Sequence, residues 1–586
     1  MKAFEKLALL GTTTRKVWAL TRPYFSSEEK WKARLLLAAI IALNLISVYM
    51  LVLMNDWNRV FYDALQEKNQ AVFWSQLGRF TYLAFGLIVI AVYKFYLTQL
   101  LELRWRAWMT THYLQRWLSG QAFYRMELAR FSGQGTTPDN PDQRIQEDLG
   151  LFTSYSVSLT MGLLNAVVTL VSFVGILWAL SGGFFFSVGG SNYELHGYMV
   201  WAAVGYCLVG SVITHFIGRP QIRLNFLQQR YEADFRHHMV RVREYSEAIA
   251  LDKGEEVERG HLDRRFASVL DNFLKLLKAR KNLIWFNTFF GQAAIIFPFI
   301  VAAPRYFSGA IQLGELMQIS SAFGQVQDSL AWFIDNYSTL ASWRATTDRL
   351  TSFEDSVAAQ ARAQRPEVHE GAGELAANDL TLALPDGKVL LSGLSLKVAP
   401  GESVLLKGPS GSGKSTLFRA FAGIWPFARG KVDVPADLMC IPQNPYFPDG
   451  PLRNALAYPE AAVRYSDEQL RRALDDAQLP QLAARLDDED AWTQKLSGGE
   501  RQRLALARVF LKQPSWVLAD EATSALDEPA EQSLYERLAA MVRGKGGGLV
   551  SIAHRPALDA FHQRRLEIEP SPAGSAAAFR LRQASA

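Results

Sequence analysis

The residues Gly408-Pro409-Ser410-Gly411-Ser412-Gly413-Lys414-Ser415-Thr416 follow the spacing G-x-x-x-x-G-K-[ST]. In that pattern a glycine-rich turn aims backbone N–H groups at the β- and γ-phosphates of a nucleotide, the lysine adds positive charge and the following hydroxyl faces Mg²⁺. The implied ligand is ATP with Mg²⁺. Ser403 to Lys407 reads as a short buried strand before the turn, and Leu417 to Ile424 as the helix whose N-terminus would face the phosphates. Further chemistry follows in chain order. Gln443 lies just after the apolar run Leu438 to Ile441, and Leu496-Ser497-Gly498-Gly499-Glu500 opens a helical pattern that runs to Phe510. Asp520 and Glu521 are paired carboxylates at the end of a strand pattern beginning at Val517; Ser524-Ala-Leu-Asp527 comes next, and His554 closes the strand pattern Leu549 to Ala553.

Taken in that order, these segments resemble the nucleotide-binding domain of the ATP-binding-cassette (ABC) superfamily over residues 374–586. The resemblance implies that Asp520 holds Mg²⁺ through water with Ser415 as a ligand, and that Glu521 polarises the attacking water as general base. Gln443 would sense the γ-phosphate through Mg²⁺ and water, and His554 would hydrogen-bond it. Ser497, Gly498 and Gly499 would bind the γ-phosphate held by the phosphate loop of another copy, so that two copies complete the site. The residue chemistry agrees, because phosphoanhydride hydrolysis is mainly positioning and charge neutralisation, and a small-residue turn at a helix N-terminus attracts anions. Many cassettes of this superfamily stack an aromatic residue on adenine; the comparable position here is Leu384, which leaves both ATP and GTP open.

The elements that must position these groups occupy only part of the chain. At 586 residues with 49% apolar content, the sequence suggests a membrane half joined to a soluble half. The net charge of +5 comes without a basic tail or aromatic-interleaved basic patch, so no nucleic-acid partner is expected. Two cysteines, Cys207 and Cys440, make neither a disulfide framework nor a metal site. Apolar runs long enough to span a bilayer lie at Leu35 to Met54, Tyr82 to Leu103, Leu159 to Leu180, Tyr198 to Ile217 and Leu283 to Ala303, with a less apolar sixth at Leu313 to Tyr337. Lys and Arg number eight before the first run, three from Asn55 to Phe80, none from Ser181 to Gly197 and fourteen from Gly218 to Asn282. By the positive-inside rule the N-terminus is cytoplasmic, and only six spans return the cassette to ATP in the cytoplasm. The expected organisation is therefore a transmembrane domain over 1–353 with an N-terminal cytoplasmic helix, a linker over 354–373 rich in Ala, Gln, Glu and Gly, and the cassette over 374–586. Ser26-Ser-Glu-Glu29 reads as a capping box opening the first helix with Trp31 at the membrane interface, and Ser466 with Gln469 as a second capping box in a helical insertion. No cleavable signal is expected at the N-terminus.

The membrane half carries its own likeness. Asn55-Asp-Trp-Asn-Arg-Val-Phe-Tyr-Asp-Ala-Leu65, Arg104-Trp-Arg-Ala-Trp108 and Gly324-Gln-Val-Gln327 look like the SbmA/BacA-type permeases and their cassette-bearing relatives of the YddA type. The layout is also similar to peroxisomal fatty-acyl half-transporters of ABC subfamily D, as are Phe418 to Pro426, Pro442 to Tyr446, Leu452 to Pro459 and Trp492. The resemblance implies an all-α, six-helix, exporter-type transmembrane domain followed by an α/β P-loop NTPase cassette, working as a homodimer in the bacterial inner membrane with the cassette in the cytoplasm. It also implies short coupling helices at the tips of cytoplasmic extensions. Asn140-Pro-Asp-Gln-Arg-Ile145 and Glu244 to Glu256 are the candidates, with the loop Gly133 to Asp142 breaking the first extension.

At 100° per residue Gln318, Ser321, Gln325, Asp328 and Asp335 fall within about a 100° arc of the sixth span. An ionised Asp at mid-bilayer costs about 3 kcal/mol, so this face is expected to line a water-filled cavity, with Asn44, Lys94, Asn165 and Asn287 as further polar candidates. Interhelical hydrogen bonds are the alternative role for each. The expected function is ATP-driven transport of a large hydrophilic or cationic solute, with uptake as the direction suggested by the SbmA/BacA likeness. Fatty acyl-CoA or lipid cargo is the alternative from subfamily D. A nucleotide-gated channel or regulator would share the cassette but need not retain Glu521 and His554.

Overall fold

The structure is a computed structural model describing residues 2–129, 131, 140–188, 191–362, 366–572 and 574–583. The chain forms two compact units: Met1–Tyr113 with Asn140–Thr351, and Leu114–Asp139 with Ser352–Ala586. Of the loop expected at 133–142, residues 133–139 lie outside the described residues, as do 363–365 of the expected linker.

The first unit is built from long helices. A helix over Lys2–Ser26 precedes Lys30–Gln66, so the expected Ser26–Glu29 capping box does not form. Ser26 ends one helix and turns its hydroxyl back to the carbonyl of Arg22 (2.8 Å), while Ser27 Oγ accepts from the N–H of Glu29 (3.2 Å). Helices Lys30–Gln66, Gln70–Leu118, Leu149–Ser181, Tyr198–Glu244 and Glu255–Phe307 contain the five strongest apolar runs, and among the described residues five helical stretches are long and apolar enough to cross a membrane. The sixth run is a helix over Leu313–Asp335. Ile319, Ala322, Phe323 and Val326 are its buried face, packed in one core with residues of the Leu149–Ser181, Tyr198–Glu244 and Glu255–Phe307 helices. Its first turn is capped in trans: Asp63 Oδ1 accepts from Gly314 N–H (2.8 Å) and Gln66 Oε1 from Leu313 N–H (2.7 Å). A Cβ on Gly314 would lie 2.0 Å from the carbonyl oxygen of Arg59, so the approach requires glycine.

The unit is not wholly helical. A two-stranded antiparallel hairpin, Gly183–Val188 with Ser191–His196, joins two of the long helices. The sequence holds Phe184-Phe-Phe186, Val188 and Tyr193 either side of a Gly-Gly pair, a strand-and-turn pattern that the helical expectation passed over. Tyr198–Glu244 and Glu255–Phe307 pair along their polar extensions, where Asn272 Nδ2 donates to Leu224 O (3.0 Å) and Gln228 Oε1 (2.8 Å). They are joined by a short helix, Ser246–Leu251, within the second expected tip. Its neighbourhood exposes Tyr245, Leu251 and Val257.

The first expected tip is a short helix at Pro141–Gln143 running into a π-helical turn at Arg144–Asp148, and it belongs to the first unit. The segment that joins the second unit is instead the helix Ala122–Ala129. Gly120 and Gln121 both take left-handed backbones (φ 53° and 60°), which turns the chain sharply into it. Leu128 packs against an apolar core of the second unit, and buried Arg125 donates to the carbonyl of Gln360 (3.3 Å).

The rest of the second unit holds a six-stranded sheet in the order Phe579–Gln583, Arg564–Pro570, Ser403–Lys407, Leu549–Ile552, Trp516–Asp520, Leu438–Ile441. All neighbours are parallel except the first pair. The central strands are buried on both faces, which is why they read as continuous apolar runs. A four-stranded sheet (Glu367–Glu370, Ala428–Val434, Leu375–Ala383, Val389–Val398) packs beside it, and Leu384 lies against their shared core. The expected insertion begins with helix Asp467–Asp476, where the Ser466–Gln469 capping box is present in both directions.

Candidate active site in the cassette

Four neighbouring parallel strands end on the same edge of the six-stranded sheet, and each delivers one part of the site. After Ser403–Lys407 the chain enters the turn Gly408–Gly413, with left-handed or extended positive φ at Gly408, Gly411 and Gly413 (153°, 75° and 93°). A Cβ on Gly408 would lie 2.8 Å from the carbonyl oxygen of Ile568. Helix Lys414–Phe421 starts immediately after the turn. Lys414 is buried, and its Nζ donates to the carbonyls of Gly408 (2.8 Å) and Pro409 (3.0 Å). Burial lowers its ammonium pKa, while the carboxylates of Glu521 and Asp520 pull the other way. Ser412 is fully buried and its hydroxyl has no hydrogen-bond partner among the described residues.

Asp520 and Glu521 stand at the end of Trp516–Asp520. Burial raises the Asp520 carboxyl above its usual range, partly offset by a hydrogen bond from the Ser415 hydroxyl. Glu521 has a left-handed backbone (φ 47°), uncommon for a residue with a long side chain. Its carboxylate accepts from Gln443 Nε2 (2.8 Å) and lies 3.2 Å from His554 Nε2. The structure thus brings together Lys414, Ser415, Gln443, Asp520, Glu521 and His554, all singled out from sequence. Pro409, Ser410 and Thr416 complete the turn and the first helical residues. A nucleotide with Mg²⁺ fits this set: a loop of N–H groups at a helix N-terminus, a buried ammonium, an orphaned hydroxyl and hard oxygen donors.

Ser497 caps the helix Gly498–Lys512. Its Oγ accepts from Glu500 N–H (3.3 Å), and Glu500 Oε2 accepts from both the Ser497 N–H (3.0 Å) and its hydroxyl (2.8 Å). Three further residues were not anticipated. Buried Gln502 donates to the carbonyl of Glu521 (3.3 Å) and to Ser524 Oγ (3.0 Å), and accepts from Ala525 N–H (2.8 Å). Glu531, 1% exposed, accepts from Thr523 Oγ1 (2.6 Å) and Arg555 Nη1 (3.1 Å), and Arg555 also donates to the carbonyls of Leu526 and Ser524. Together they clamp the loop from Glu521 to Leu526. The only sequence signal for Gln502 and Glu531 was polarity within a helical pattern, and Arg555, in the loop after His554, had none.

A family description of the ABC transporter transmembrane region 2 matches residues 20–307, and one of the ABC transporter cassette matches residues 391–524. The inner membrane ABC transporter ATP-binding protein YddA of Escherichia coli is 34% identical over 543 residues, covering 92% of this chain and 95% of YddA. This chain belongs to the ABC transporter family. The transporter is also 33% identical to ABC transporter D family member 2, chloroplastic, of Arabidopsis thaliana, across 96% of this chain and 87% of that one. Human lysosomal cobalamin transporter ABCD4 is 28% identical across 83% and 84%. A bacterial Atm1-family ABC exporter solved with ATP bound superposes with a TM-score of 0.70 at 18% identity, covering 92% of this transporter and 93% of that chain, which establishes the shared fold. The chain is therefore a membrane protein with an ATP-binding cassette coupled to transport.

In the transmembrane unit, Asp328 and Asp335 are exposed, and Ser321 and Gln325 half-buried. Gln318 is buried at 8% exposure; its carbonyl accepts from Asn55 Nδ2 (3.0 Å). It lies at the edge of the polar arc, next to the buried face of the same helix. Asn44 is likewise buried, donating to the carbonyl of Met161 (3.1 Å). Asp335 and Asn287 share a small polar pocket of about 130 Å³ with Thr214 and Gln327. Neither aspartate forms an ion pair among the described residues.

Proposed function

We propose that the protein is a homodimeric, ATP-driven transporter of the bacterial inner membrane that takes up a large hydrophilic or cationic solute, peptide- or corrinoid-like. In this reading Leu313–Asp335 is a sixth span, which returns the cassette to the cytoplasm. Ser415, Gln443 and Asp520 would hold Mg²⁺. Bound Mg²⁺ supplies charge neutralisation for the phosphates. Glu521 orients and deprotonates water, His554 hydrogen-bonds the γ-phosphate, and Ser497, Gly498 and Gly499 of one copy complete the nucleotide site of the other.

The observation that carries the cargo reading is the pair Asp328 and Asp335, exposed and without countercharge on a helix whose other face is packed. A carboxylate facing lipid is costly, whereas one facing a wet path favours polar or cationic cargo. The likeness to a cobalamin transporter supports a bulky polar solute. Relatives in the D family support the second reading, a fatty acyl-CoA or lipid cargo, which an acidic path would disfavour.

The test is uptake into sealed, energised vesicles across a panel of cationic peptide, corrinoid and acyl-CoA. Accumulation of peptide or corrinoid against a gradient supports the reading. Accumulation of acyl-CoA alone replaces it with the second, and gradient-limited flux replaces pumping with a gated channel.

A further inference from the structure

The transmembrane unit contains a cavity of about 750 Å³ whose lining includes neither Asp328 nor Asp335 and which the reading above does not use. It lies where the Lys2–Ser26 helix folds back beside the start of Lys30–Gln66. Its walls are mostly apolar and aromatic, including Trp18, Phe25, Leu37, Trp105 and Trp343. Its size falls within the roughly 300–1,000 Å³ of small-molecule pockets.

Three features identify what it would hold. First, two arginines, Arg22 and Arg34, line the cavity, and neither forms an ion pair among the described residues. Arg34 uses its Nε for the carbonyl of Phe25 (3.2 Å) and stacks near Trp31, which leaves its positive charge uncompensated. Secondly, Trp105 is 3% exposed and its indole N–H has no acceptor among the described residues, so a buried donor stands in a wall of the same cavity. The other indole in the wall, Trp343, is satisfied by Ser156 Oγ (2.8 Å). Thirdly, Trp18 and Trp31 are 66% and 72% exposed beside the cavity. Tryptophan in that setting marks the headgroup level of a bilayer, and the eight Lys and Arg residues up to Arg34 place that level on the cytoplasmic side.

An apolar chamber that opens at headgroup depth, carries two uncompensated guanidinium groups and keeps one unused donor is complementary to an anionic amphiphile. We infer that this cavity is a binding site for an acidic phospholipid of the cytoplasmic leaflet, with its acyl chain among the aromatics and its headgroup at Arg22 and Arg34. The lipid would tie the N-terminal helix to the first, second and third long helices, all of which contribute to the wall. The site is independent of which cargo is carried.

The experiment uses the full-length protein in nanodiscs of phosphatidylcholine containing a trace of photoreactive phosphatidylglycerol or photoreactive phosphatidylcholine, with labelled peptides mapped by mass spectrometry. The phosphatidylglycerol probe is expected to label peptides holding Trp18 to Leu37 and Leu101 to Trp105, and the phosphatidylcholine probe much less. R22Q/R34Q should lower phosphatidylglycerol labelling by about fivefold for each arginine removed. Leu37→Trp, which fills the chamber and leaves the charge alone, should lower it too, so the result does not hang on a variant whose membrane insertion is altered. Equal labelling by both probes, or labelling that ignores R22Q/R34Q, would mean ordinary annular lipid and overturn the site. Absence of label from both regions, the outcome if another protein segment covers the cavity, overturns it as well.

Discussion

Glu521 is held by three constraints at once: a left-handed backbone, two side-chain partners and a carbonyl tied to Gln502. In the proposed function its carboxylate leaves Gln443 and His554 to act on water. Replacing it with glutamine keeps shape and one acceptor but removes the base. Glu521→Gln is expected to bind ATP, hold the cassettes closed and lose most steady-state hydrolysis, measured by phosphate release and trapped nucleotide; near-normal release would place the base elsewhere. Gln502→Ala removes one donor from the Glu521 carbonyl, which keeps the Ser524 N–H (3.2 Å), and the side-chain acceptor of the exposed Ala525 N–H. A loss of about 1 kcal/mol follows from the hydrogen bonds removed. It should appear as a lower melting temperature together with reduced kcat, because the clamp also sets the Glu521 loop. At this scale the residues gathered around the Gly408–Gly413 turn were legible, because their motifs come at rigid spacings. Gln502, Glu531 and Arg555 were not legible, since they contact the loop after Glu521 and neither a polar residue in a helix nor one in a loop announces such a contact in one sequence.

Between elements, the most concentrated ionic contact in the transmembrane unit joins Arg144, Asp148 and Arg349. Asp148 is 2% exposed; it accepts from Arg144 Nη1 (2.8 Å) and, through both oxygens, from Arg349 Nε (2.9 Å) and Nη2 (2.6 Å). Asp148→Asn removes the shared countercharge and should cost about 2–3 kcal/mol, toward the low end because Arg349 is partly exposed. Thermal unfolding in detergent checks this, and an unchanged midpoint would show that water screens both arginines. In the cassette, His562 is held neutral by burial, despite its contact with the Leu558 carbonyl (2.8 Å), and its other nitrogen faces Ser551 Oγ (2.8 Å). Its folded pKa lies below the 6.5 of the unfolded chain. Unfolding therefore takes up a proton, so the contribution is complete above pH 6.5 and declines as pH falls below it. The melting temperature of the wild type should drop more steeply between pH 7 and 5 than that of His562→Gln. The long spans and the Ser466 cap were readable because period and capping chemistry are local. An N-terminal helix was expected, but its boundary at Ser26 and the Gly183–His196 hairpin were missed. Their ends are set by neighbours or by mixed polar and aromatic composition rather than by a strong period.

The working molecule requires two copies in the proposed function, and this gives sharper tests than any single variant. Dimers with Lys414→Ala in one copy and Ser497→Arg in the other should keep one complete nucleotide site. Their hydrolysis should exceed that of dimers carrying Lys414→Ala twice. Equal inactivity would mean that both sites must fire together. Ser497→Arg also removes a helix cap, at about 1 kcal/mol, so expression must be matched before rates are compared. For cargo, D328N/D335N keeps side-chain size and removes the negative field. Uptake of a cationic peptide should fall severalfold with basal ATP hydrolysis little changed. Unchanged preference between cationic and anionic cargo would favour the acyl-CoA reading.

The crossing of the chain between its two compact units bears on how the protein is made. Leu114–Asp139 leaves the ribosome long before Ser352, yet it belongs to the same unit as the cassette, with Leu128 on its core and Arg125 tied to Gln360. The segment must therefore wait, with Leu128 uncovered and the Gln360 carbonyl not yet made, while the intervening membrane helices are synthesised. A cassette expressed by itself from residue 366 onward begins without its earliest-made part. It should aggregate more readily than the same cassette supplied with a peptide of residues 114–131.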